Sequence, residues 1–318
     1  MTEKQVLITG GSGFIGTHLA RRLNESGMKV TCLDLKAPRE ALSDAIYIRG
    51  DVRSLDYLNL PAADVIFNLA AIHTTPGHLD HEYYDTNVTG ALQVTRFAEK
   101  MNVREIVFSS SISIYGPSEE HKTESSLADP KSAYGKSKLM AEQIHMAWQA
   151  AKPGRRLTIV RPAVVFGQGE GGNFARMASL LKTGFFVFPG RRDTIKSCIY
   201  VEDLIDLILA ARTTPEDFTL LNGSYPECPT LEQIVTTLQS QYFPKAKLVD
   251  LPRSVVMALA GAIAALNGIG GVHPDRVTKL LKSTHVYPQW AADHDLLAPG
   301  AFGRGIKRWA EATDETFV

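Results

Sequence analysis

Short apolar runs alternate with longer amphipathic segments along the first half of the chain. Residues 5–9, 29–33, 45–48, 65–69, 105–108 and 157–160 are apolar or β-branched over the length of a strand. The intervening segments predict helices, among them 14–26, 83–100 and 132–150. Because strands alternate with helices throughout, this order predicts a doubly wound α/β fold with a parallel sheet.

The pattern loosens after Gly167. It predicts helices over residues 173–183, 202–212, 231–241, 253–266, 274–282 and 302–313, with a short strand near 218–221. Thr230 is the expected N-cap of the helix over 231–241. This part predicts a smaller, mixed α/β lid over the carboxyl edge of the sheet. The expected domains are residues 1–172, to which the chain returns at about 195–222, and residues 173–318.

Composition and charge exclude several classes of protein. Lys and Arg number 34, as do Asp and Glu, so neither a nucleic-acid tail nor a basic membrane patch is indicated. Cys32, Cys198 and Cys228 lie far apart, which indicates structural thiols rather than a disulfide framework or a zinc site. The most apolar stretch, 255–266, is too short to span a bilayer. Because this stretch is apolar nearly all round, it favours a helix buried in the core. A wall of the substrate site and a contact with a membrane surface stay open as alternatives. We expect a cytoplasmic protein without a metal.

The turn after the first predicted strand carries candidate chemistry. Gly10 permits a tight turn, Gly13 lets a pyrophosphate approach the N–H groups of the next helix, and Gly16 lets that helix pack closely against the sheet. Asp34 ends the second strand, where a carboxylate holds ribose hydroxyls and repels a 2′-phosphate. The pattern predicts a dinucleotide site that prefers NAD to NADP.

Ser111, Tyr134 and Lys138 form a second candidate group. Tyr134 and Lys138 are four residues apart and therefore share one helix face. The ordinary pKa of tyrosine is about 10, and a neighbouring ammonium favours the phenolate. Tyr134 can then deprotonate an alcohol whose carbon loses hydride, while Ser111 orients the substrate oxygen. The Tyr–Lys spacing alone also fits a solvated helix face, and it gains weight only from its place after the glycine-rich turn.

Together these motifs resemble the extended short-chain dehydrogenase/reductase family, which includes the NAD-dependent epimerases and dehydratases. Residues 9–16 match its TGxxGFIG turn, and further matches are 161–162 and 200–203. The resemblance implies a Rossmann-type sheet, bound NAD, and Ser111, Tyr134 and Lys138 as catalytic residues. It implies cofactor contacts from Gly10, Gly13, Phe14, Ile15, Gly16, Asp34, Asp51, Val52, Leu69, Ala70, Ala71, Asn87, Tyr134, Lys138, Arg161 and Pro162. From its local sequence, Asp51 fits a helix cap equally well.

The residues after the fifth predicted strand bear on the reaction. Nucleotide-sugar dehydratases of this family usually carry Thr-Asp-Glu or Thr-Ser-Glu where this chain has residues 111–113, Ser-Ile-Ser. The missing carboxylate favours an epimerase, or a keto-reductase or dehydrogenase, acting at the C4 of a nucleotide-diphosphate sugar. The candidates to bind that substrate are Ser111, Asn173, Arg191, Lys196 and Arg276, although the arginines also fit a solvated surface.

Two other functions stay open at this point. The C-terminal pattern also resembles 3β-hydroxysteroid dehydrogenases, which act on an apolar alcohol or ketone. A non-catalytic NAD-sensing protein is disfavoured, because Tyr134 and Lys138 are both intact. Relatives often pair helices into dimers, so we expect a homodimer to which Leu139, Ile144 and Trp148 contribute.

Overall fold

The structure, a computed structural model, describes residues 4–74, 77–252, 254–255 and 281–318. The chain forms two compact units. The first unit comprises residues 1–116, 126–162 and 201–223, and the second comprises 117–125, 163–200 and 224–318. The predicted helix over 253–266 lies outside the described residues except at positions 254–255. The predicted helix over 274–282 lies outside them except at 281–282, which are not helical.

The described part of the first unit contains a seven-stranded parallel sheet. With strands numbered along the chain, its members are β1 (Gln5–Thr9), β2 (Lys29–Asp34), β3 (Ile46–Arg49), β4 (Val65–Asn68), β5 (Glu105–Ser109), β7 (Arg156–Pro162) and β11 (Phe218–Gly223). Their order is β11-β7-β5-β4-β1-β2-β3, and every neighbouring pair is parallel. The order reverses between β1 and β4, which creates a crevice at the carboxyl ends of these strands. The predicted doubly wound Rossmann-type sheet is confirmed.

Helices flank this sheet. They are α1 (Phe14–Glu25), α2 (Asp80–Lys100), α3 (Ala133–Ala150) and α5 (Val201–Ala211), with short 3-10 helices at Val52–Tyr57 and Ile112–Tyr115. Apolar side chains of α2 and α3 pack on the sheet, as Val94, Ala141 and Ile106 illustrate. Trp148 belongs to this core and is only 4% exposed, so it is not available for the predicted dimer contact.

The second unit is built from strand pairs and helices. Its described strands are β6 (Ser118–Lys122), β8 (Val164–Phe166), β9 (Phe185–Pro189), β10 (Cys198–Tyr200), β12 (Lys247–Leu251) and β13 (Thr284–Val286). Its described helices are α4 (Asn173–Lys182), α6 (Leu231–Tyr242), α7 (Gln289–Asp293) and α8 (Ala301–Ala312). The strands pair in parallel as β8 with β10, β9 with β12, and β6 with β13.

Aromatic stacking fills the core of the second unit. The Phe166 ring stacks on Phe174 at 4.5 Å between centroids and lies 5.8 Å from Trp309, which in turn meets Phe317 at 4.8 Å. Thr230 caps α6 as predicted. Its side chain accepts a hydrogen bond from Gln233 N, and the Gln233 side chain accepts one from Thr230 N. The three cysteines are free and buried.

The sequence pattern missed β6, β8, β9, β10, β12 and β13. Each pairs with a segment far away in the chain, and pairing of this kind leaves little local signal. Within the described ranges, no helix combines the length and apolarity that crossing a membrane would require.

Candidate active site

The glycine turn after β1 lies against the ends of two other strands. Gly10 has a φ of +75°, and its N–H donates to Leu33 O at 2.8 Å. A Cβ on Gly10 would lie 2.8 Å from Ala70 N, so the turn needs glycine to pack against the residues after β4. A Cβ on Gly16 would overlap Gly10 O, so the close contact of Gly16 is with the turn and not with the sheet as expected.

The start of α1 fits the diphosphate of a dinucleotide. Gly13 is its N-cap, and no side chain of the described residues caps it, so N–H groups of the first turn remain for an anion. The Asp34 carboxylate accepts hydrogen bonds from Ser12 N at 3.1 Å and Lys36 N at 3.0 Å. A carboxylate thus lies beside the glycine turn, as a ribose-binding group requires.

Three other predicted cofactor residues have clear structural contacts. Asp51 caps the 3-10 helix that follows it, and hydrogen bonds from Arg53 hold its pKa below the usual value. Val52 is buried against Gly90 of α2, where an added Cβ would lie 3.0 Å away. Asn87 accepts from Ile72 N at 3.0 Å and donates to Ser137 Oγ at 2.9 Å. Asn87 therefore ties the segment after β4 to α3.

The structure brings Ser111 and Tyr134 together from different elements. Ser111 follows β5 and caps a 3-10 helix by accepting from Ser113 N at 3.1 Å. Tyr134 lies in the first turn of α3. Burial raises the pKa of Tyr134, and side-chain hydrogen bonding with the nearby Ser111 opposes the increase.

Lys138 lies one turn further along α3, with its ammonium in the interior. Its Nζ donates to Ser109 O at 2.7 Å and lies 4.8 Å from the centroid of Phe108. Burial lowers the pKa of Lys138 to about 7, against the attraction of Glu142. Desolvation and the nearby Lys138 also lower the pKa of His73, which places that residue near this group. The lowered tyrosine pKa expected from the sequence is not found, since the desolvation of Tyr134 dominates.

Arg161 lies in a buried polar network. Its guanidinium binds both oxygens of Glu142, at 2.9 and 2.7 Å, and donates to Tyr115 Oη at 2.8 Å. Tyr115 in turn donates to Asn222 Oδ1 at 2.9 Å. Sequence reasoning missed Glu142, although its position four residues after Lys138 was a usable signal. It also missed Gly11, where a Cβ would lie 2.6 Å from that of Cys32.

The predicted substrate residues Asn173, Arg191 and Lys196 lie in the second unit. Asn173 begins α4, and the Glu170 carboxylate accepts from Ala175 N at 2.9 Å in the same first turn. Arg191 pairs with Asp193 and Glu119 at 2.8 Å each. Lys196 donates to Lys282 O, and desolvation lowers its pKa to about 8.

The remaining predicted site residues are placed as follows. Arg276 lies outside the described residues. Phe14 and Ile15 open α1, Leu69, Ala70 and Ala71 follow β4, and Pro162 ends β7. Phe14 and Ile15 thus lie at the carboxyl end of β1, and residues 69–71 lie at the carboxyl end of β4. The sheet order reverses between these two strands.

Comparison with known proteins decides the family. The profile of the NAD-dependent epimerase/dehydratase family matches residues 6–220, about two thirds of the chain. The chain belongs to the NAD-dependent epimerase/dehydratase family. It is therefore an NAD-dependent enzyme of the extended short-chain dehydrogenase/reductase type, and the glycine turn with Asp34 supplies the features that such a cofactor needs.

Individual family members match over most of the chain. One relative is the N-acetyl-alpha-D-glucosaminyl-diphospho-ditrans,octacis-undecaprenol 4-epimerase of Escherichia coli O157:H7, 29% identical with 98% of each chain covered. The UDP-glucose 4-epimerase of Azospirillum brasilense is 30% identical, with 88% of this chain and 90% of the relative covered. The solved structure of the Helicobacter pylori ADP-L-glycero-D-manno-heptose-6-epimerase has a TM-score of 0.75 at 18% identity, covers 98% of this chain and 96% of that one, and shares the fold.

Proposed function

We propose that this enzyme is a 4-epimerase of a sugar carried on a diphosphate, with Ser111, Tyr134 and Lys138 as its catalytic residues. One observation carries the proposal. The Tyr134 side chain lies beside Ser111 and one helical turn from the buried amine of Lys138. The absence of a carboxylate from the sequence Ser-Ile-Ser at 111–113 favours epimerisation over loss of water.

In the proposed mechanism, residues of this chain accept and return the proton of the sugar C4 hydroxyl. Tyr134, as phenolate, accepts the proton of the C4 hydroxyl, and Ser111 orients the same oxygen. Bound NAD would supply the hydride chemistry at C4 that epimerisation requires, with no net change in the cofactor. Tyr134 then gives its proton back, so that neither the enzyme nor the cofactor changes overall. Because burial raises the pKa of Tyr134, formation of the phenolate requires nearby positive charge, which the oxidised nicotinamide would supply together with Lys138 while that residue is protonated.

The proposal assigns the two units different tasks. The first unit holds NAD through the turn at Gly10 and Gly13, the start of α1, and Asp34. Lys138 would hydrogen-bond the nicotinamide ribose when NAD is bound. Asn173, Arg191 and Lys196 are the proposed ligands of the sugar diphosphate, because their amide, guanidinium and ammonium groups suit phosphate oxygens.

The carrier of the sugar has two candidates. A nucleotide diphosphate is supported by the match to the Azospirillum UDP-glucose 4-epimerase. A polyprenyl diphosphate is supported by the match to the Escherichia coli enzyme, which extends over 98% of both chains. These relatives are epimerases, so the comparisons do not favour an oxidoreductase of apolar alcohols.

We also propose a homodimer in which α2 and α3 meet their copies. Leu92 on α2 and Met140 and Met146 on α3 are 46%, 44% and 44% exposed, which is unusual for large apolar side chains. A monomeric mass at high protein concentration would contradict this assembly.

The test follows sugar and cofactor in one tube. The purified enzyme with NAD receives UDP-glucose, UDP-N-acetylglucosamine or polyprenyl diphosphate N-acetylglucosamine, while NMR reports the sugar and absorbance reports reduced nicotinamide. A new 4-epimer without accumulating NADH is expected for one of these substrates. NADH that rises in step with a keto-sugar would instead show a dehydrogenase.

A matched pair of variants tests the catalytic residue. Tyr134→Phe should lower turnover by about 10²–10⁴-fold, the usual contribution of general acid–base catalysis, with NAD still bound. Tyr57→Phe makes the same chemical change at a side chain that is 90% exposed, and turnover should stay unchanged. Near-normal turnover of Tyr134→Phe would defeat the mechanism.

A further inference from the structure

Strand β9 is apolar on both of its faces. Phe186 and Phe188 point into the second unit and are 3% and 0% exposed. Phe185 and Val187, which alternate with them, are 58% and 40% exposed. A strand with one solvated face ordinarily carries polar residues there, so the outer side of β9 is an unexplained apolar surface.

The partner strand extends this surface. β12 pairs in parallel with β9, so that Val249 lies beside Val187 and Lys247 beside Phe185. Residues paired in this way point to the same side of a sheet, and Val249 is 39% exposed. We call the outer side formed by Phe185, Val187, Lys247 and Val249 the β9–β12 face.

The two segments that contain β9 and β12 are basic in sequence, and Lys247 lies on the β9–β12 face itself. The segments 171–190 and 241–249, which contain both strands and their approaches, carry Arg176, Lys182, Lys245 and Lys247 and no Asp or Glu. All four side chains are exposed. The carboxylate that follows, Asp250, is bound by two nitrogens of Arg192 at 2.7 Å each. The local charge is therefore strongly positive, although the whole chain is neutral.

We propose that the β9–β12 face docks the enzyme onto an anionic lipid bilayer. Aromatic and aliphatic side chains bordered by lysines match the two requirements of peripheral membrane binding, namely shallow burial of apolar groups and attraction to anionic headgroups. The proposed contact is peripheral, through side chains of two paired strands. The inference goes beyond the proposed function, because a nucleotide sugar in water needs no such surface. A polyprenyl diphosphate sugar, by contrast, is presented at a bilayer.

Vesicle flotation of the full chain, without substrate, tests the proposal. Vesicles of phosphatidylglycerol with phosphatidylcholine should bind the enzyme, and added salt should weaken the binding. The double variant Phe185→Ser/Val187→Ser should reduce the partition coefficient by about tenfold, because it removes two large apolar groups from the contact. Lys245→Gln/Lys247→Gln should also reduce it by about tenfold, on anionic vesicles only. Because Lys245 and Lys247 are both exposed, their replacement should not disturb the fold.

A control variant removes exposed apolar side chains away from the β9–β12 face. Tyr57→Ser/Leu127→Ser removes two side chains that are each 90% exposed elsewhere, and vesicle binding should not change. Failure of the parent enzyme to bind anionic vesicles would overturn the proposal. So would a dimer that Phe185→Ser/Val187→Ser converts to monomer, since the face would then contact a second copy. Epimerase activity on a water-soluble sugar is measured separately and should be the same in both apolar variants, so failure of the docking proposal leaves the proposed function untouched.

Discussion

The two units use charged side chains in opposite ways. In the first unit, the guanidinium of Arg161 and the carboxylate of Glu142 are 8% and 2% exposed and bind each other through two hydrogen bonds. In the second unit, Arg192 makes two ion pairs, but its partners Glu232 and Asp250 are 46% and 64% exposed. Water screens the second set and not the first. The buried pair therefore ties α3 to β7, whereas the exposed pairs of Arg192 are screened by water and contribute little to stability.

The largest expected effect comes from breaking the buried pair. Glu142→Leu leaves the Arg161 charge buried without its partner, and the free energy of unfolding should fall by about 3–5 kcal/mol. Urea unfolding measures the loss. Glu232→Leu removes an exposed partner of Arg192 and should leave the midpoint unchanged. If Glu142→Leu and Glu232→Leu had equal urea midpoints, the buried and the exposed ion pairs would not differ in their contribution to stability.

Lys138 should destabilise the fold at neutral pH. Burial lowers its pKa from the ordinary 10.5 to about 7, so between these values the unfolded chain holds a proton that the folded chain lacks. The stability of the parent enzyme should therefore rise with pH across this interval. Lys138→Met should increase the free energy of unfolding by about 3 kcal/mol at pH 7 and by less at pH 10, while turnover is lost.

The control for Lys138 lies on the same helix. Lys136 is exposed on α3, and Lys136→Met should change neither turnover nor the pH dependence of unfolding. If the free energy of unfolding of Lys138→Met depended on pH in the same way as that of the parent, desolvation of the Lys138 side chain would be contradicted.

His145 provides a second, smaller test at acidic pH. Its ring stacks on Phe108 at 4.2 Å, meets Ala141 O and Asn68 Nδ2, and has a pKa lowered by burial from 6.5 to about 4. Between these values the unfolded chain binds the extra proton, so stability should fall by about 2–3 kcal/mol as pH drops through the interval. His145→Gln should remove this contribution from the pH profile, whereas His81→Gln, at an exposed histidine of α2, should not.

The smallest effect on stability is expected at Arg191. Arg191→Gln should leave unfolding unchanged but raise KM for the diphosphate sugar by about tenfold with kcat retained, because the proposed phosphate contact would be lost. Arg96→Gln replaces an exposed arginine of the first unit, 67% exposed, and should leave KM as it was. A fall in kcat for Arg191→Gln would instead assign this residue to the reacting groups.

Local patterns were the most informative part of the sequence. The strands and helices of the first unit follow the predicted order to within a few residues, since buried strands and amphipathic helices carry their periodicity in neighbouring positions. Gly10 has the positive φ that its place after β1 predicted. The second unit was predicted less well, because β9 and β12 lie about 60 residues apart and recognise each other only through pairing. Overall neutrality likewise concealed the basic surroundings of the β9–β12 face.

The sequence by itself determined the doubly wound sheet, the glycine turn, and the spacing that places Tyr134 and Lys138 on one helix face. Each depends on residues within a few turns or one strand of one another, so chain connectivity is enough to specify it. Only the tertiary structure decided that Glu142 binds Arg161, that Asn87 ties the segment after β4 to α3, and that burial shifts the pKa of Tyr134 upward. These properties depend on which distant groups approach and on how much water they displace, and a linear sequence records neither.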